Sequence, residues 1–198
     1  YIDGQGLLSF SGNVSGVLIR GVEPNLEKSV DDIVNATVQG SFNSLNESGF
    51  NIAIGQTLAK SIGAGIGDKI TIITPDGQIT PAGMIPRIKQ FTVGAIFNTH
   101  MQEYDSSLVF IGLNQAQILF KIPNNVSGIR LKVDDVMQTQ QIKQQLYTTM
   151  PDDIIIRDWI DQHQNYFSAV AMEKKMMFVI LSLIVAVAAF NLVSTLVM

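Results

Sequence analysis

The C-terminal stretch of the chain, residues 176–198, contains no charged side chain. At a rise of about 1.5 Å per residue, a helix of this length would extend about 34 Å, which is enough to cross the hydrocarbon core of a bilayer. The residues before it, from Ile160 onward, have helical spacing and contain no helix breaker. We therefore predict a transmembrane helix at 171–198 that continues without interruption from a helix of the preceding domain.

Apart from Ser182, three polar residues lie within this apolar stretch: Asn191, Ser194 and Thr195. Polar groups inside a bilayer usually face another helix or a polar cavity, because hydrocarbon offers them no hydrogen-bond partner. A helix–helix contact is the favoured interpretation of these three residues, and contact with a transported substrate is the alternative.

Composition excludes several kinds of partner and site. The net charge is −4 and no basic cluster exceeds two residues, which argues against nucleic acid as a partner. There is no cysteine, so disulfides and cysteine-based metal sites are excluded. The sequence starts at Tyr1 with neither an initiating methionine nor a signal peptide, so we expect the natural N-terminus to lie elsewhere.

Before the apolar stretch, strand-like and helical segments alternate. Runs rich in β-branched and aromatic residues predict strands, and apolar residues spaced four apart predict amphipathic helices. The strands are predicted at 5–10, 16–22, 50–55, 69–74, 88–97, 105–113, 126–135 and 153–159, and the helices at 56–63, 114–121 and 139–150. Gly63 should end the first of these helices, and Asn114 should cap the start of the second. Ile142, Leu146 and Tyr147 should form the buried side of the third. The mixture indicates an α+β fold.

One connection is unusually long for a hairpin. Residues 74–86, TPDGQITPAGMIP, separate two predicted strands that look like hairpin arms, whereas hairpin loops usually have about two to five residues. Pro81 and Pro86 restrict the backbone, and Met84 and Ile85 between them are apolar without an obvious core. A stiffened loop that presents apolar residues suits docking of a partner, because little conformational entropy is lost on binding. A mobile loop without a binding role is the equally weighted alternative.

The sequence contains no recognisable catalytic or metal-binding set. Neither histidine stands at metal-ligand spacing from a second histidine or a carboxylate pair, and no G-x-S-x-G motif is present. The GAGIGD run precedes a strand rather than opening a helix, which argues against phosphate binding. We expect no cofactor and no enzymatic activity, so a membrane-anchored extracytoplasmic enzyme is a disfavoured hypothesis.

The segment MEKKMMFVILSLIVAVAAFNLVSTLVM closely resembles the second transmembrane helix of the lipoprotein-releasing system permeases, the LolC/LolE family. The resemblance extends through DWI, VSGIRLKVDD, GDKITIITP and RGVEP, and so covers essentially the whole chain. GDKI and RGVEP also recur in related permeases such as the MacB and FtsX groups. VSGIRLK and FNLVSTLVM look nearer to LolE, and this mixture resembles the hybrid permease sometimes called LolF.

The resemblance implies a MacB-like periplasmic domain followed by one transmembrane helix. Its βαβ-type part near the membrane, called Porter, would comprise residues 1–44 and 133–170, and an inserted, mainly-β part, called Sabre, would comprise 45–132. In the family this domain lies between the first and second helices, so we expect the first helix and the opening strand and helix to be missing. Residues 1–170 would lie in the periplasm and 171–198 in the inner membrane of a Gram-negative cell.

The family also implies a transport function. Two permeases, either this subunit with a LolE-like one or two copies of it, and the cytoplasmic ATPase LolD would move lipoproteins from the inner membrane to the periplasmic chaperone LolA. ATP would be hydrolysed on LolD and not on this chain. The alternative is a MacB-type mechanotransmission permease that drives efflux with a periplasmic adaptor and does not bind LolA.

In LolC-type permeases a β-hairpin loop, the Hook, captures the chaperone. The resemblance puts the Hook at 74–91, because TPAGMIP matches the pattern T-P-x-G-x-I-P. In that match Pro81, Gly83, Ile85 and Pro86 align directly with the family residues. These residues are the expected contacts to the chaperone.

A basic patch, the Pad, lies beside the Hook in the family. Lys89 falls on a Pad position, whereas Thr71 stands where another basic residue is typical. Ala82 replaces a larger apolar residue at the Hook tip. We expect Arg87 and Met84 to compensate for these two departures, and so to take part in partner binding.

Overall fold

In the computed structural model, the chain begins with a β-hairpin. β1 (Ile2–Phe10) and β2 (Asn13–Val22) pair antiparallel along their whole length. Ser11 and Gly12 between them have φ of 48° and 87°, as a two-residue type I′ turn requires. The predicted strands at 5–10 and 16–22 are too short, because the turn between the two strands needs only Ser11 and Gly12.

The structure describes residues 1–30, 32–80, 83–135, 138–151, 154–162 and 164–198. The chain divides into two compact units, 1–132 and 133–198. The other elements of the first unit are α1 (Pro24–Val30), β3 (Thr37–Gly40), β4 (Asn51–Gly55), α2 (Gln56–Ile62), β5 (Lys69–Thr80), β6 (Gly83–Phe97), α3 (Gln102–Ser107), β7 (Leu108–Gly112) and α4 (Leu113–Phe120), with 3₁₀ turns at Asp32–Val34 and Phe42–Asn46.

The seven strands of this unit form one sheet that closes on itself. Their order is β3-β6-β4-β7-β2-β1-β5, and β5 pairs again with β6. β2–β7 and β4–β6 are parallel pairs, and the other pairs are antiparallel. Strands from residues 1–44 and from 45–132 belong to the same sheet, so positions 44 and 45 lie within one unit. The Porter and Sabre division stays a prediction.

The centre of the sheet is buried on both faces. Ile52 and Ile54 of β4 lie in one apolar cluster, whereas Phe110 of β7 lies in a second cluster. The Phe110 ring meets the rings of Phe42 and Phe97 edge to face, each with a centroid distance of 5.5 Å. Alternate residues of a strand point to opposite faces, so β4 and β7 join the two clusters into the core of the unit.

Helix α4 lies directly on the first hairpin because two glycines leave room for it. A Cβ atom at Gly21 would lie 2.2 Å from the Cβ of Ala116, and a Cβ atom at Gly4 would lie 2.2 Å from the ring of Phe120. Real Cβ atoms do not approach other atoms so closely. Glycine at these two positions therefore fixes the position of α4 on β1 and β2.

The predicted strand at 105–113 is wrong in its first part. Residues up to Ser107 belong to α3, and the strand β7 covers only Leu108–Gly112. Asp105 explains the difference, since its buried carboxylate accepts hydrogen bonds from the backbone N and the Oγ1 of Thr99, each at 2.9 Å. These bonds hold the turn that leads into α3.

The two predicted helix ends have different outcomes. Gly63 ends α2 with φ of 76°, which confirms its prediction as the helix C-terminal glycine. Asn114 does not cap α4, because that helix already begins at Leu113 and Gly112 occupies the capping position.

The predicted strand at 126–135 is also wrong. The backbone amides of Ser127 and Gly128 donate to the carbonyl oxygen of Tyr1 at 3.0 and 3.3 Å, and Arg130 forms an ion pair with the buried Glu27. The segment is thus held by these contacts with the N-terminal part of the chain rather than by a strand ladder. The strand predicted at 153–159 is likewise absent over residues 154–158, the part for which the backbone is described.

The second unit contains three helices in its described part, α5 (Thr139–Thr149), α6 (Trp159–Gln162) and α7 (Gln164–Val197). α5 agrees with the predicted helix. Ile142 and Leu146 are half-buried, but Tyr147, predicted on the buried side, is half-exposed and donates its hydroxyl to the carbonyl of Ile156 at 3.1 Å. Position 163, across which we predicted a continuous helix, lies outside the described residues.

Helix α7 contains the predicted apolar span. Its segment Asn165–Val197, 33 residues long, is the one helix among the described residues that could cross a membrane by length and composition. The hydroxyls of Ser182 and Thr195 donate to the carbonyls of Phe178 and Asn191, each at 2.8 Å. These hydroxyls are therefore satisfied within the helix itself.

The ion pair between α5 and α6 predicts a pH dependence of the second unit. Lys143 Nζ donates to the carboxylate of Asp161, and this bond lowers the pKa of Asp161 below its ordinary 3.8. A carboxyl group with a lowered pKa in the fold stabilises it above the ordinary pKa, and this contribution is lost as the pH falls through the lowered value. In a pH titration followed by NMR, we expect the amide chemical shifts of α5 to change in one step below about pH 4, as the Asp161 carboxyl takes up its proton. An Asp161→Asn variant should show no such step, and the same step in that variant would exclude this pair as its origin.

Candidate functional site: the β5–β6 hairpin

The long connection of the sequence is a two-part β-hairpin. Residues 69–74 of β5 pair with 87–92 of β6, and residues 78–80 pair with 83–85. We call the first part the base ladder and the second the distal ladder. The predicted 13-residue loop at 74–86 is therefore wrong, since strand pairing continues through much of it.

The two ladders are separated by a break that contains proline on both arms. The register shifts between Thr74 and Gln78, so that Pro75 and its neighbours lie opposite Pro86. Proline has no backbone N–H and cannot donate to a ladder. The pairing of β5 with β1 also ends at Ile73, so the distal ladder is held by its own two arms.

The distal ladder carries the residues predicted to contact a partner. Gly83 pairs with Thr80 and Met84 with Ile79. Ile85 is 58% exposed, and Pro86 beside it is exposed as well. The predicted tip residues Pro81 and Ala82 lie outside the described residues. The hairpin thus presents an apolar side chain to solvent on a paired backbone.

Lys89 lies on the base ladder with its ammonium over an aromatic ring. Its Nζ is 3.9 Å from the centroid of Phe50, which is within the range of a cation–π interaction. Phe50 in turn meets Phe91 edge to face at 5.3 Å. This ring holds the charge of Lys89 at a defined place on the base of the hairpin.

Arg87 is the first β6 residue of the base ladder, and it reaches across to α4. Its Nη1 donates to the carbonyl oxygen of Leu119 at 3.1 Å. The side chain is half-buried. A cation at the last carbonyls of a helix is favourable because these carbonyls lack helical partners and carry the negative end of the helix dipole. Arg87 therefore contacts the domain itself, and its predicted contact with a partner stays a prediction.

Thr71, the other predicted Pad position, lies on the opposite face of the hairpin from Lys89. Thr71 pairs with Gln90, whereas Lys89 pairs with Ile72, and directly opposed residues share a face. Beside Thr71, the exposed apolar residues Leu7 and Ile88 flank Ile73 in one row across three strands. The structure therefore does not bring Thr71 and Lys89 together in one patch.

The predicted polar residues of the membrane helix lie on one side of α7. At 100° per residue, Asn191, Ser194 and Thr195 span an arc of about 100°. Thr195 Oγ1 already donates to the Asn191 carbonyl, whereas the Asn191 amide side chain is exposed on the helix surface. The arrangement suits a contact between helices, which stays a prediction.

Sequence reasoning missed two contributors to this site. Phe50 orients Lys89, and the Leu119 carbonyl holds Arg87, although both lie far from these residues along the chain. Pro75 could have been found, because a proline on each arm of a predicted hairpin suggests a break in pairing. Within the described ranges no three histidine, aspartate or glutamate side chains group as metal ligands.

Comparison with known proteins gives the family. The family model of the MacB-like periplasmic core domain matches residues 2–148. The lipoprotein-releasing system transmembrane protein LolC of Neisseria meningitidis serogroup B is 42% identical over 199 residues, which cover 100% of this chain and 48% of that protein. LolE of Haemophilus influenzae is 24% identical over 100% of this chain and 47% of its own length.

The chain thus spans about half the length of these curated relatives. Among solved structures, the periplasmic region of MacB from Actinobacillus actinomycetemcomitans has a TM-score of 0.41 at 12% identity, covering 75% of this chain and 64% of that one, a likeness too weak to carry an argument. The chain therefore belongs to the family of the MacB-like periplasmic core domain, with the LolC and LolE proteins of the lipoprotein-releasing system as its relatives.

Proposed function

We propose that this chain is the periplasmic domain and the following membrane helix of an ABC-transporter permease that releases lipoproteins from the inner membrane. The β5–β6 hairpin captures the periplasmic chaperone LolA, which receives the lipoprotein. The names of the relatives support the lipoprotein-releasing system, and the family model supports a periplasmic domain. The observation that carries the proposed capture is the distal ladder, which leaves the sheet and exposes Ile85.

The hairpin has the physical properties that capture requires. Its paired backbone limits the conformational entropy lost on binding, so that more of the contact energy appears as affinity. The exposed Ile85 offers an apolar anchor, and Lys89, oriented by Phe50, supplies a positive charge at the base. A charge at the rim of a binding surface mainly steers association with an acidic partner.

The remaining parts of the proposal follow from the same family. ATP is hydrolysed on the partner subunit LolD, and a second permease, LolE-like or a copy of this chain, completes the transporter. Residues 1–170 lie in the periplasm, with the Porter part at 1–44 and 133–170 and the Sabre part at 45–132. Helix α7 crosses the inner membrane, and Asn191, Ser194 and Thr195 face another helix of the transporter.

Replacing Ile85 by aspartate is expected to weaken LolA capture at least about tenfold, because an apolar anchor at the centre of an interface carries a large share of the binding energy. Binding is measured with purified LolA and the intact chain in detergent. Leu26→Asp is the matched control, since Leu26 is similarly exposed, at 68% against 58% for Ile85, but lies on α1. Equal capture by the Ile85→Asp variant and the wild type would reject the hairpin as the docking site.

The MacB-type permease remains the second candidate because the matching family model is named after MacB. It uses the same architecture for efflux with a periplasmic adaptor. If the wild-type chain binds no LolA but retains a purified periplasmic adaptor, the second function replaces the first.

A further inference from the structure

We propose that Arg87 is a positioning residue that sets the direction in which the distal ladder leaves the sheet. Its guanidinium links the end of the base ladder to the C-terminal end of α4 by a hydrogen bond to the Leu119 carbonyl. The inference deepens the proposed docking function and rests on it: Arg87 orients the segment that captures the partner and does not itself form the contact.

The first support is the contact of Arg87 with a helix that is itself fixed. Arg87 Nη1 donates to the Leu119 carbonyl at 3.1 Å, in the last turn of α4. Gly21 admits Ala116 and Gly4 admits Phe120 at distances that allow no added Cβ atom. Because α4 is seated on β1 and β2 in this way, a side chain bound to its end is held relative to the sheet.

The second support is the position of Arg87 beside the break in the hairpin. Arg87 pairs with Thr74 in the last pair of the base ladder, and Pro86 follows it towards the tip. Beyond this pair, the missing ladder bonds at Pro75 and Pro86 leave the distal ladder without a continuous hydrogen-bonded connection to the base. The orientation of the distal ladder therefore depends on how the last residue pair of the base ladder, Thr74 and Arg87, is held in place.

The third support is a pair of buried polar groups at the same place. In the described part of the chain, Arg87 Nε and Thr74 Oγ1 are buried and have no hydrogen-bond partner. Such groups are uncommon in folded proteins because burial without a partner is unfavourable. The two groups are complementary, a donor and an acceptor on directly opposed residues. If Arg87 released the Leu119 carbonyl, Thr74 Oγ1 on the opposing strand would be free to accept, so Thr74 offers the guanidinium an alternative to its contact with α4.

The proposal is tested by measuring a distance within the intact chain in detergent. The chain has no cysteine, so cysteines introduced at Thr80 on the distal ladder and at Ile118 on α4 carry nitroxide labels at these two sites alone. Double electron–electron resonance then reports the distribution of hairpin orientations relative to α4. We expect one narrow distribution in the wild type, a broad or shifted one in Arg87→Met, and recovery of the narrow one in Arg87→Lys, whose ammonium can still donate to the Leu119 carbonyl.

Lys121→Met is the matched control, because it removes a cation next to the same helix end but leaves the Arg87 contact in place. Amide exchange of the base ladder in the same samples checks that each variant is folded. An unchanged distance distribution in a folded Arg87→Met variant would overturn the proposal. If that variant does not fold, Thr74→Val is the second test: it removes the alternative acceptor, so the distribution should stay as narrow as in the wild type, and a broader distribution would overturn the proposal.

LolA capture gives a second, independent readout. Arg87→Met is expected to weaken capture about tenfold, because a partner binds only the fraction of hairpins in the competent orientation, and Arg87→Lys should restore it. If the wild-type chain captures no LolA, the proposed function fails, whereas the distance measurement still decides the role of Arg87. If Arg87→Met changes the distances but capture stays at the wild-type level, the positioning role in docking is rejected.

Discussion

Replacing Gly21 by alanine is expected to lower the stability of the first unit by about 3 kcal/mol, at the upper end of the usual cost of overpacking a core. The added Cβ atom would lie 2.2 Å from the Cβ of Ala116, and neither atom belongs to a flexible side chain that could turn away. The strand β2 or the helix α4 would have to move as a whole. Amide exchange of β2 and α4 in the intact chain measures this loss as a free energy of opening.

The helix offers a matched test of the cause. Ala116→Gly removes the atom that the new Cβ atom would meet, and on its own it should cost about 1 kcal/mol in helix propensity. In the double variant the methyl group moves from the helix to the strand, so the loss should be clearly smaller than the sum of the two single losses. Additive losses would show that the Gly21–Ala116 approach is not the source of the effect.

Replacing Arg130 by methionine is expected to lower stability by about 3 kcal/mol, because it leaves Glu27 buried without its ionic partner. Glu27 is 6% exposed, and Arg130 is its partner in an ion pair. The ring of Tyr1 lies 5.9 Å from the Arg130 guanidinium carbon, so some of the loss would come from this second contact. Urea unfolding of the intact chain, followed by circular dichroism, measures the total.

The double variant Glu27→Gln with Arg130→Met separates the two causes. A neutral amide in place of the carboxylate removes the buried charge, so the double variant should recover more than half of the stability that Arg130→Met loses. If the double variant recovers no stability, Arg130 stabilises the unit through contacts other than its ion pair with Glu27.

Local patterns in the sequence predict much of the first unit. The β-branched runs of β4, β7 and the base ladder predict strands, and Gly63 correctly marks the end of α2. These signals depend on residues that are neighbours along the chain. Asp105 shows the limit of such signals, since its hydrogen bonds with Thr99 turn a strand-like segment into the helix α3. A hydrogen bond accepted by a buried side chain does not alter hydrophobic periodicity, so the pattern could not reveal it.

The candidate site was predicted in its location and less well in its internal arrangement. The prolines and apolar residues of 74–86 mark the segment, but its continued pairing depends on a register between the arms that composition does not reveal. A shift of one residue would move Lys89 to the face of Thr71. The contact of Arg87 with Leu119, 32 positions away, likewise follows from how α4 packs, which the sequence of the hairpin does not encode.

The strand β6 has a mechanical consequence. It runs for 15 residues from Gly83 to Phe97, about 50 Å if fully extended, and joins the hairpin end to the buried strand β4 without a loop. A force that pulls the hairpin along the axis of β6 would act parallel to the strand. The hydrogen bonds that join β6 to β5 and β4 would then be loaded in shear. Bonds loaded in shear must break together, whereas bonds that are peeled open break one at a time. A force applied to the hairpin would therefore reach the core along one continuous strand.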